Sequence, residues 1–306
     1  MTPAAVAAID CGTNSTRLLV ADPHGRELLR LMRITRLGQG VDTANALAPE
    51  AITRTVDVLR EYRRAMDGLD VDRIRMVATS AVRDAENGAA FSEAAALAVG
   101  VNPEILTGEE EGTLAFRGAN ADLGRFDGDT LVVDIGGGST EITLGRGDSL
   151  SSVSLQLGCV RLTERYLRGD PPDAEEVSAT RAAIADALSW GEGQMPQLLD
   201  LAAARRMVGL AGTVSTLASL KLGIAAYNVA KLHHAILSLG EIAELCEELA
   251  SLSARERAGL VGMVPGREDV ILGGALVLEA VAARYRCPEV IASEKDILDG
   301  IVLSLL

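Results

Sequence analysis

One short device is spelled twice in this chain. "AIDCGTNSTR" occupies residues 8–17 and "VVDIGGGSTE" occupies residues 132–141. In each, an apolar β-type run ends in an Asp, then a glycine, then small hydroxyl or amide residues before the chain returns. Glycine tolerates the positive φ that a tight reversal demands, so both stretches read as hairpins. A chain that carries the same hairpin twice is expected to fold as two similar halves.

The segments around each copy follow one order. In the first half "AVAAID", "RLLVAD" and "ELLRLMRITRL" read as antiparallel strands separated by "CGTNST" and the turn "DPHG". A helix is predicted from Pro49 to about Gly68, where Ile52, Val56, Leu59, Tyr62 and Met66 recur at three- or four-residue steps. "RIRMVATS" reads as a strand, a helix passes through Phe91 and Leu97, "EIL" is a short strand, and a helix begins near Glu109. In the second half "TLVVDIGGG", "STEITLGRG" and "SSVSLQLG" are strands, and helical segments start at about Val160. "RMVGLAGTVSTLASLK" gives a strand, a glycine turn and a helix start, while "GREDVILGGALVLEAVAARY", "EVIAS" and "DILDGIVLSLL" read as helix, strand and helix. The predicted fold is α/β, two duplicated ribonuclease-H-like domains with an interdomain cleft in which the hairpins hold phosphate from both sides. The first domain takes residues 1–120, completed by the C-terminal helix 294–306, and the second takes residues 121–293.

The loops suggest the ligand. Gly136, Gly137 and Gly138 let backbone N–H groups approach an anion closely, and Ser139 and Thr140 add hydroxyl donors. Asp134 just before them would repel phosphate unless a cation intervened, so magnesium, or manganese in its place, is the expected cofactor. Glu141 on the returning strand faces the same place, and Asp10 occupies the matching position in the first copy, beside Gly12, Asn14 and Ser15. "GLAGTVST", residues 209–216, is a third glycine-bearing helix start suited to an anion. "LTGEEEG", residues 106–112, puts three glutamates at the head of a helix, where they either complement the dipole or include a carboxylate that activates water. Arg83 in "TSAVRDAEN" either reaches a transferring phosphoryl group or pairs with Asp84 or Glu86.

Composition excludes several other classes. The net charge of −14 argues against nonspecific binding to nucleic acid or to anionic membrane. Residues 1–125 nonetheless hold 14 Arg, no Lys and 18 acids, clustered so that they either admit an anion or form solvated faces. Cys11, Cys159, Cys246 and Cys287 lack metal or disulfide spacing and read as reduced structural thiols, and the three histidines are too few and too poorly spaced for a metal cluster. With no run of 18 apolar residues and no basic-flanked leader, a cytoplasmic protein without membrane association is expected.

These segments, with "LGCVRLTE", "LHHAIL" and "PGREDVILGGALVLE" in the same order, resemble the exopolyphosphatase and guanosine pentaphosphate phosphohydrolase family of the actin, sugar kinase and chaperone ATPase superfamily. The resemblance implies Glu111 as catalytic base, Arg83 as phosphate-binding arginine, and Asp134 and Glu141 as magnesium-associated acids. It implies Gly136 to Ser139 as the main phosphate loop, Asn14, Ser15 and Arg17 as the first loop, and Gly212 and Thr213 as the third. The implied reaction is hydrolytic release of terminal orthophosphate from inorganic polyphosphate by a homodimer. Guanosine pentaphosphate is the alternative substrate, with a phosphotransferase or a nucleotide-gated structural protein as more distant readings. Three departures stand out: Gly112 where the family usually has Ala, His234 where Gly is common, and "SEKDILDGI" in place of the usual Gly-Leu-Arg before the final helix. The further C-terminal helical domain of longer members is not expected in these 306 residues.

Overall fold

Strand β1 (Ala5–Cys11) pairs antiparallel with β2 (Ser15–Ala21) in a register that sets Asp10 opposite Arg17. In the computed structural model, which describes residues 5–203 and 205–306, this hairpin organises the first of two compact units, the described residues up to Ala121 together with Asp296–Leu306. β3 (Glu27–Ile34) extends the antiparallel side, and β4 (Val71–Ala78) and β5 (Glu104–Ile105) extend the other side in parallel, giving the order β3-β2-β1-β4-β5. β1 is buried along its whole length, which is why it reads as a continuous apolar run rather than an alternating one. The helix Pro49–Asp67 buries the stripe Val56, Leu59, Tyr62 and Met66 anticipated from its periodicity.

Two further helices of this unit meet through their backbones. A Cβ added to Gly118, in the helix Gly108–Ala119, would lie 1.8 Å from the Asp296 carbonyl oxygen, and one on Gly300, in the helix Ile297–Leu305, would lie 2.0 Å from the Leu114 carbonyl oxygen. Only residues without side chains at these two positions permit the approach. The C-terminal helix therefore backs the helix that carries the three glutamates.

The second unit, Asp122–Lys295, repeats the plan. β6 (Asp129–Ile135), β7 (Thr140–Arg146) and β8 (Ser149–Leu155) form the antiparallel side, and β9 (Arg205–Leu210) runs parallel to β6. β10 (Ile236–Ser238) lies antiparallel on β11 (Glu289–Ala292), which is parallel to β9, and the sheet order is β10-β11-β9-β6-β7-β8. Apart from β10 at the edge, this is the strand order of the first unit, so the fold is a duplicated ribonuclease-H-like α/β architecture. Among the described strands β10 is the one that the sequence reading does not predict. The helices Ala174–Gln194, Ala211–Leu222, Leu239–Ser251 and Ile271–Arg284 accompany the sheet. Among the described residues no helix is long and apolar enough to cross a membrane. All four cysteines are buried and free, and burial pushes each thiol up from its ordinary range, which fits inert structural thiols.

Two outcomes follow from this packing. Gly118→Ala forces a methyl group into backbone that cannot retreat, and should lower the unfolding free energy by about 3 kcal/mol in denaturant titration. Asp129 accepts two hydrogen bonds from Arg146, at 2.9 and 2.8 Å, and one from the Ala202 N–H at 2.7 Å. The Arg146 hydrogen bonds hold its carboxyl below the ordinary value of 3.8. A carboxyl lowered by folding contributes stability above its unfolded-state value and loses it as pH falls through the lower folded value. Asp129→Asn should therefore reduce neutral-pH stability and flatten its decline below about pH 4, measured as melting temperature against pH.

Candidate active site

The first hairpin turns through Gly12, whose N–H donates to the Ser15 carbonyl at 3.0 Å. Asn14 is fixed from behind, since its carbonyl accepts from the Thr35 and Arg36 amides at 3.0 and 2.9 Å, and the Thr13 hydroxyl lies 3.0 Å from that of Ser80. Asp10 and Asn14 are both buried, yet Oδ1 of Asp10 and Nδ2 of Asn14 have no hydrogen-bond partner in the chain. A buried acceptor and a buried donor left in this state cost free energy unless a bound group satisfies them. Arg17 is engaged with Asp10 at 2.6 Å and with Asp296. Burial raises the Asp10 carboxyl above its ordinary range, while Arg17 opposes the shift.

The second hairpin repeats the first at the level of single bonds. Gly136 donates to the Ser139 carbonyl at 3.0 Å, as Gly12 does to Ser15, and Asp134 faces Glu141 across the ladder as Asp10 faces Arg17. The start of the helix Cys159–Tyr166 lies behind the loop. The amides of Cys159, Val160 and Arg161 donate to the carbonyls of Gly136 and Gly137 at 3.0 to 3.1 Å, and Arg161 Nε donates to the Gly138 carbonyl at 2.7 Å. In a trans peptide the N–H points opposite to the preceding carbonyl. With the carbonyls of residues 136 to 138 turned toward the helix, the N–H groups of Gly137, Gly138 and Ser139 point to the other face of the loop. Gly158 is part of this support, because a Cβ there would lie 2.1 Å from the Gly137 carbonyl oxygen. Asp134 and Glu141 are buried at the base of the loop, and Glu141 Oε1 accepts from the Ser154 hydroxyl at 2.7 Å. Two buried carboxylates opposite one another repel, and hard oxygen ligands in this arrangement suit a divalent cation.

The third loop differs from its sequence reading. No glycine turn separates strand from helix: β9 passes directly into Ala211–Leu222 through Ala211 at φ 67, and Gly212 lies within the first turn. Gly212 has another reason to be glycine, since a Cβ there would lie 1.7 Å from Nη2 of the buried Arg267. The guanidinium and the helix start together favour an anion. Arg267 stands in "PGREDVILGG", a stretch in which no role is predicted for it. Its signal was weak, a single arginine ahead of an apolar helix. Thr213 is buried against the helix Ile271–Arg284, where a Cβ on Gly274 would lie 2.3 Å from the Thr213 hydroxyl.

In the first unit Thr107 caps the helix of the three glutamates, and Glu110 returns its side chain to the Thr107 N–H at 2.9 Å. This capping box fixes the helix start despite Gly112. Glu109 and Glu110 are exposed, whereas Glu111 is 8% exposed. Arg83 Nη1 donates to the Leu106 carbonyl at 2.7 Å and lies 3.7 Å from Glu111 Oε2, while Nε is 3.9 Å from Asp84. Of the two roles open to Arg83 from sequence, the pairing with Asp84 is present, and Glu111 is a second acidic neighbour.

Two of the histidines come together although sequence spacing argued against a cluster. His233 and His234 stack at 3.8 Å beside Asp122. His233 Nδ1 accepts from the Glu294 N–H at 3.1 Å, so in the neutral ring Nε2 carries the proton and donates to Asp122 at 2.9 Å. Lys295 also reaches Asp122, at 3.1 Å. This is a hydrogen-bonded group in which Nε2 of His233 offers no lone pair to a metal.

Residues 20–306 match the Ppx/GppA phosphatase family. The chain is 44% identical over 316 residues to exopolyphosphatase 2 of Mycobacterium tuberculosis, with 98% of each chain covered. It is 29% identical over 304 residues to guanosine-5′-triphosphate,3′-diphosphate pyrophosphatase of Photobacterium profundum, covering 98% of this chain and 59% of that one. Its fold is similar to the crystal structure of an exopolyphosphatase-like protein, with a TM-score of 0.91, 35% identity and 98% of each chain covered. With the doubled hairpin, the two sheets of matching order and this agreement along nearly the whole length, the chain belongs to the Ppx/GppA phosphatase family.

Proposed function

We infer that the chain hydrolyses phosphoanhydride bonds and that its substrate is inorganic polyphosphate, from which it releases terminal orthophosphate. The observation that carries this reading is the second hairpin, a loop whose carbonyls are tied back to a helix so that its amides point to the opposite face, set on two buried carboxylates. The relation to an exopolyphosphatase at 44% identity supports the substrate class.

In this reading the amides of Gly137, Gly138 and Ser139 bind phosphate oxygens, and Asn14 Nδ2 and Ser15 serve the same end in the first hairpin. Gly12 provides the turn there, and Arg267 with Gly212 and Thr213 provides the third contact. Asp134 and Glu141 would hold magnesium, which when bound neutralises phosphate charge and polarises the phosphoryl oxygens. Glu111 takes a proton from water as the water oxygen bonds to the terminal phosphorus. The anhydride P–O bond breaks, and the bridging oxygen leaves as the new terminal oxygen of the shortened chain. Arg83 beside Glu111 offers positive charge to the phosphoryl group.

Glu111→Gln should lower kcat for phosphate release by about 10³-fold while calorimetric affinity for tripolyphosphate is retained. Retained turnover would remove Glu111 from the role of base. A chelator should stop phosphate release and added magnesium restore it; an enzyme indifferent to chelation would contradict the role given to Asp134 and Glu141. Gly158→Ala should weaken tripolyphosphate binding by about tenfold or more, because the methyl group displaces the Gly137 carbonyl and with it the amide face. The relation to the Photobacterium profundum protein favours a guanosine nucleotide as the second substrate. Comparing kcat/KM for polyphosphate and guanosine pentaphosphate separates the two, since discrimination resides in that ratio.

A further inference from the structure

Arg17 is the first-hairpin residue that the family resemblance assigns to phosphate, and its guanidinium is already held by carboxylates. Nε and Nη2 both donate to Oδ2 of Asp10, at 3.1 and 2.6 Å, while Nη1 donates to Asp296. Asp296 is the N-cap of the C-terminal helix, where its Oδ1 accepts from the Leu298 N–H at 2.9 Å and Asp299 completes the capping box. Arg30 approaches from β3, 2.8 Å from Asp299 and 4.0 Å from Asp296. Three acids, Asp10, Asp296 and Asp299, thus face two guanidinium groups, Arg17 and Arg30. With every group ionised, these five side chains carry one net negative charge. Asp10 is 4% and Asp296 9% exposed, whereas Arg17 at 18% and Arg30 at 24% keep an edge toward solution, where dissolved ions reach the cluster.

The two carboxylates on Arg17 are not equivalent. Asp10 sits directly across the ladder and binds two nitrogens of the guanidinium, which is sufficient to orient it. Asp296 arrives from the other end of the sequence and takes the remaining terminal nitrogen, offering it the same kind of acceptor that a phosphate oxygen offers.

We propose that Asp296 is a specificity-determining residue of the first hairpin, which sets affinity by competing with phosphate oxygens for Nη1 of Arg17. An anion captures this nitrogen only by outcompeting a resident carboxylate. A polyphosphate end, with several charged oxygens, does so more readily than the orthophosphate product. The position falls in "SEKDILDGI", the segment that departs from the family pattern. The proposal rests on the polyphosphate reading and names what regulates binding at that site.

Asp296→Asn isolates the charge, because asparagine caps a helix about as well as aspartate. KM for tripolyphosphate should fall about five-fold at low ionic strength, with the change falling on KM rather than kcat, and the gain should close as salt approaches about 0.5 M. Calorimetric titration of tripolyphosphate into the same variant carrying Glu111→Gln reports the change without turnover. In an Arg17→Gln background the substitution should have no further effect on affinity. An unchanged or raised KM, or a five-fold gain that persists without Arg17, would overturn the proposal. If Arg17→Gln does not fold, having left two carboxylates without their counter-charge, the salt series on Asp296→Asn alone decides. A wild-type protein that binds tripolyphosphate but releases no phosphate would defeat the hydrolytic reading and leave this competition testable by calorimetry.

Discussion

Antiparallel pairing across the hairpin fixes which side chain stands opposite the aspartate, and the rest of the site follows from that constraint. In both units the aspartate is the next-to-last residue of a buried central strand, the turn is closed by a glycine N–H on the carbonyl three residues later, and the residue seven positions on faces the aspartate. The backbone is the same and the partner is not. In the first unit the partner is Arg17, so the charge of Asp10 is balanced within the protein. In the second it is Glu141, so Asp134 faces another carboxyl group. A duplicated framework has thereby come to hold one internally neutralised pair and one acidic pair suited to a cation.

Close backbone approach is the second recurrent device. The amide face of the 136–139 loop exists because a helix start satisfies its carbonyls from behind, and that helix is admitted by a glycine at 158. The Gly118 and Gly300 crossing plays the comparable part for the helix bearing Glu111. In each place the side chain proposed for chemistry is held by an element whose own contribution is a missing Cβ. Precision of this kind comes from packing density rather than from strong bonds, since a well-packed interior resists displacement in discrete steps.

Much of this was legible in the residues. β1 and β6 could be read as buried central strands from their unbroken apolar runs, and the helix Pro49–Asp67 from its periodicity and its leading proline. Position alone leaves the buried member of the glutamate triplet as one of three, while the family resemblance points to Glu111. Its identity as Glu111 follows from the capping box, which commits Glu110 to the Thr107 N–H and turns the next position inward. The turn into the helix Ala211–Leu222 was misread because Gly212 suggests a flexible loop, when its lack of a side chain accommodates Arg267.

The sequence by itself determined the duplicated hairpins, their order among strands and helices, and the acids and glycines available to them, because these depend on local periodicity and on contacts between residues close along the chain. Tertiary structure alone decided which distant residues meet: Arg17 with Asp296, Arg30 with Asp299, and the Arg267 guanidinium with Gly212. Pairings across such separations leave no periodic trace, since each partner is compatible with a solvated surface until the fold removes water from around it.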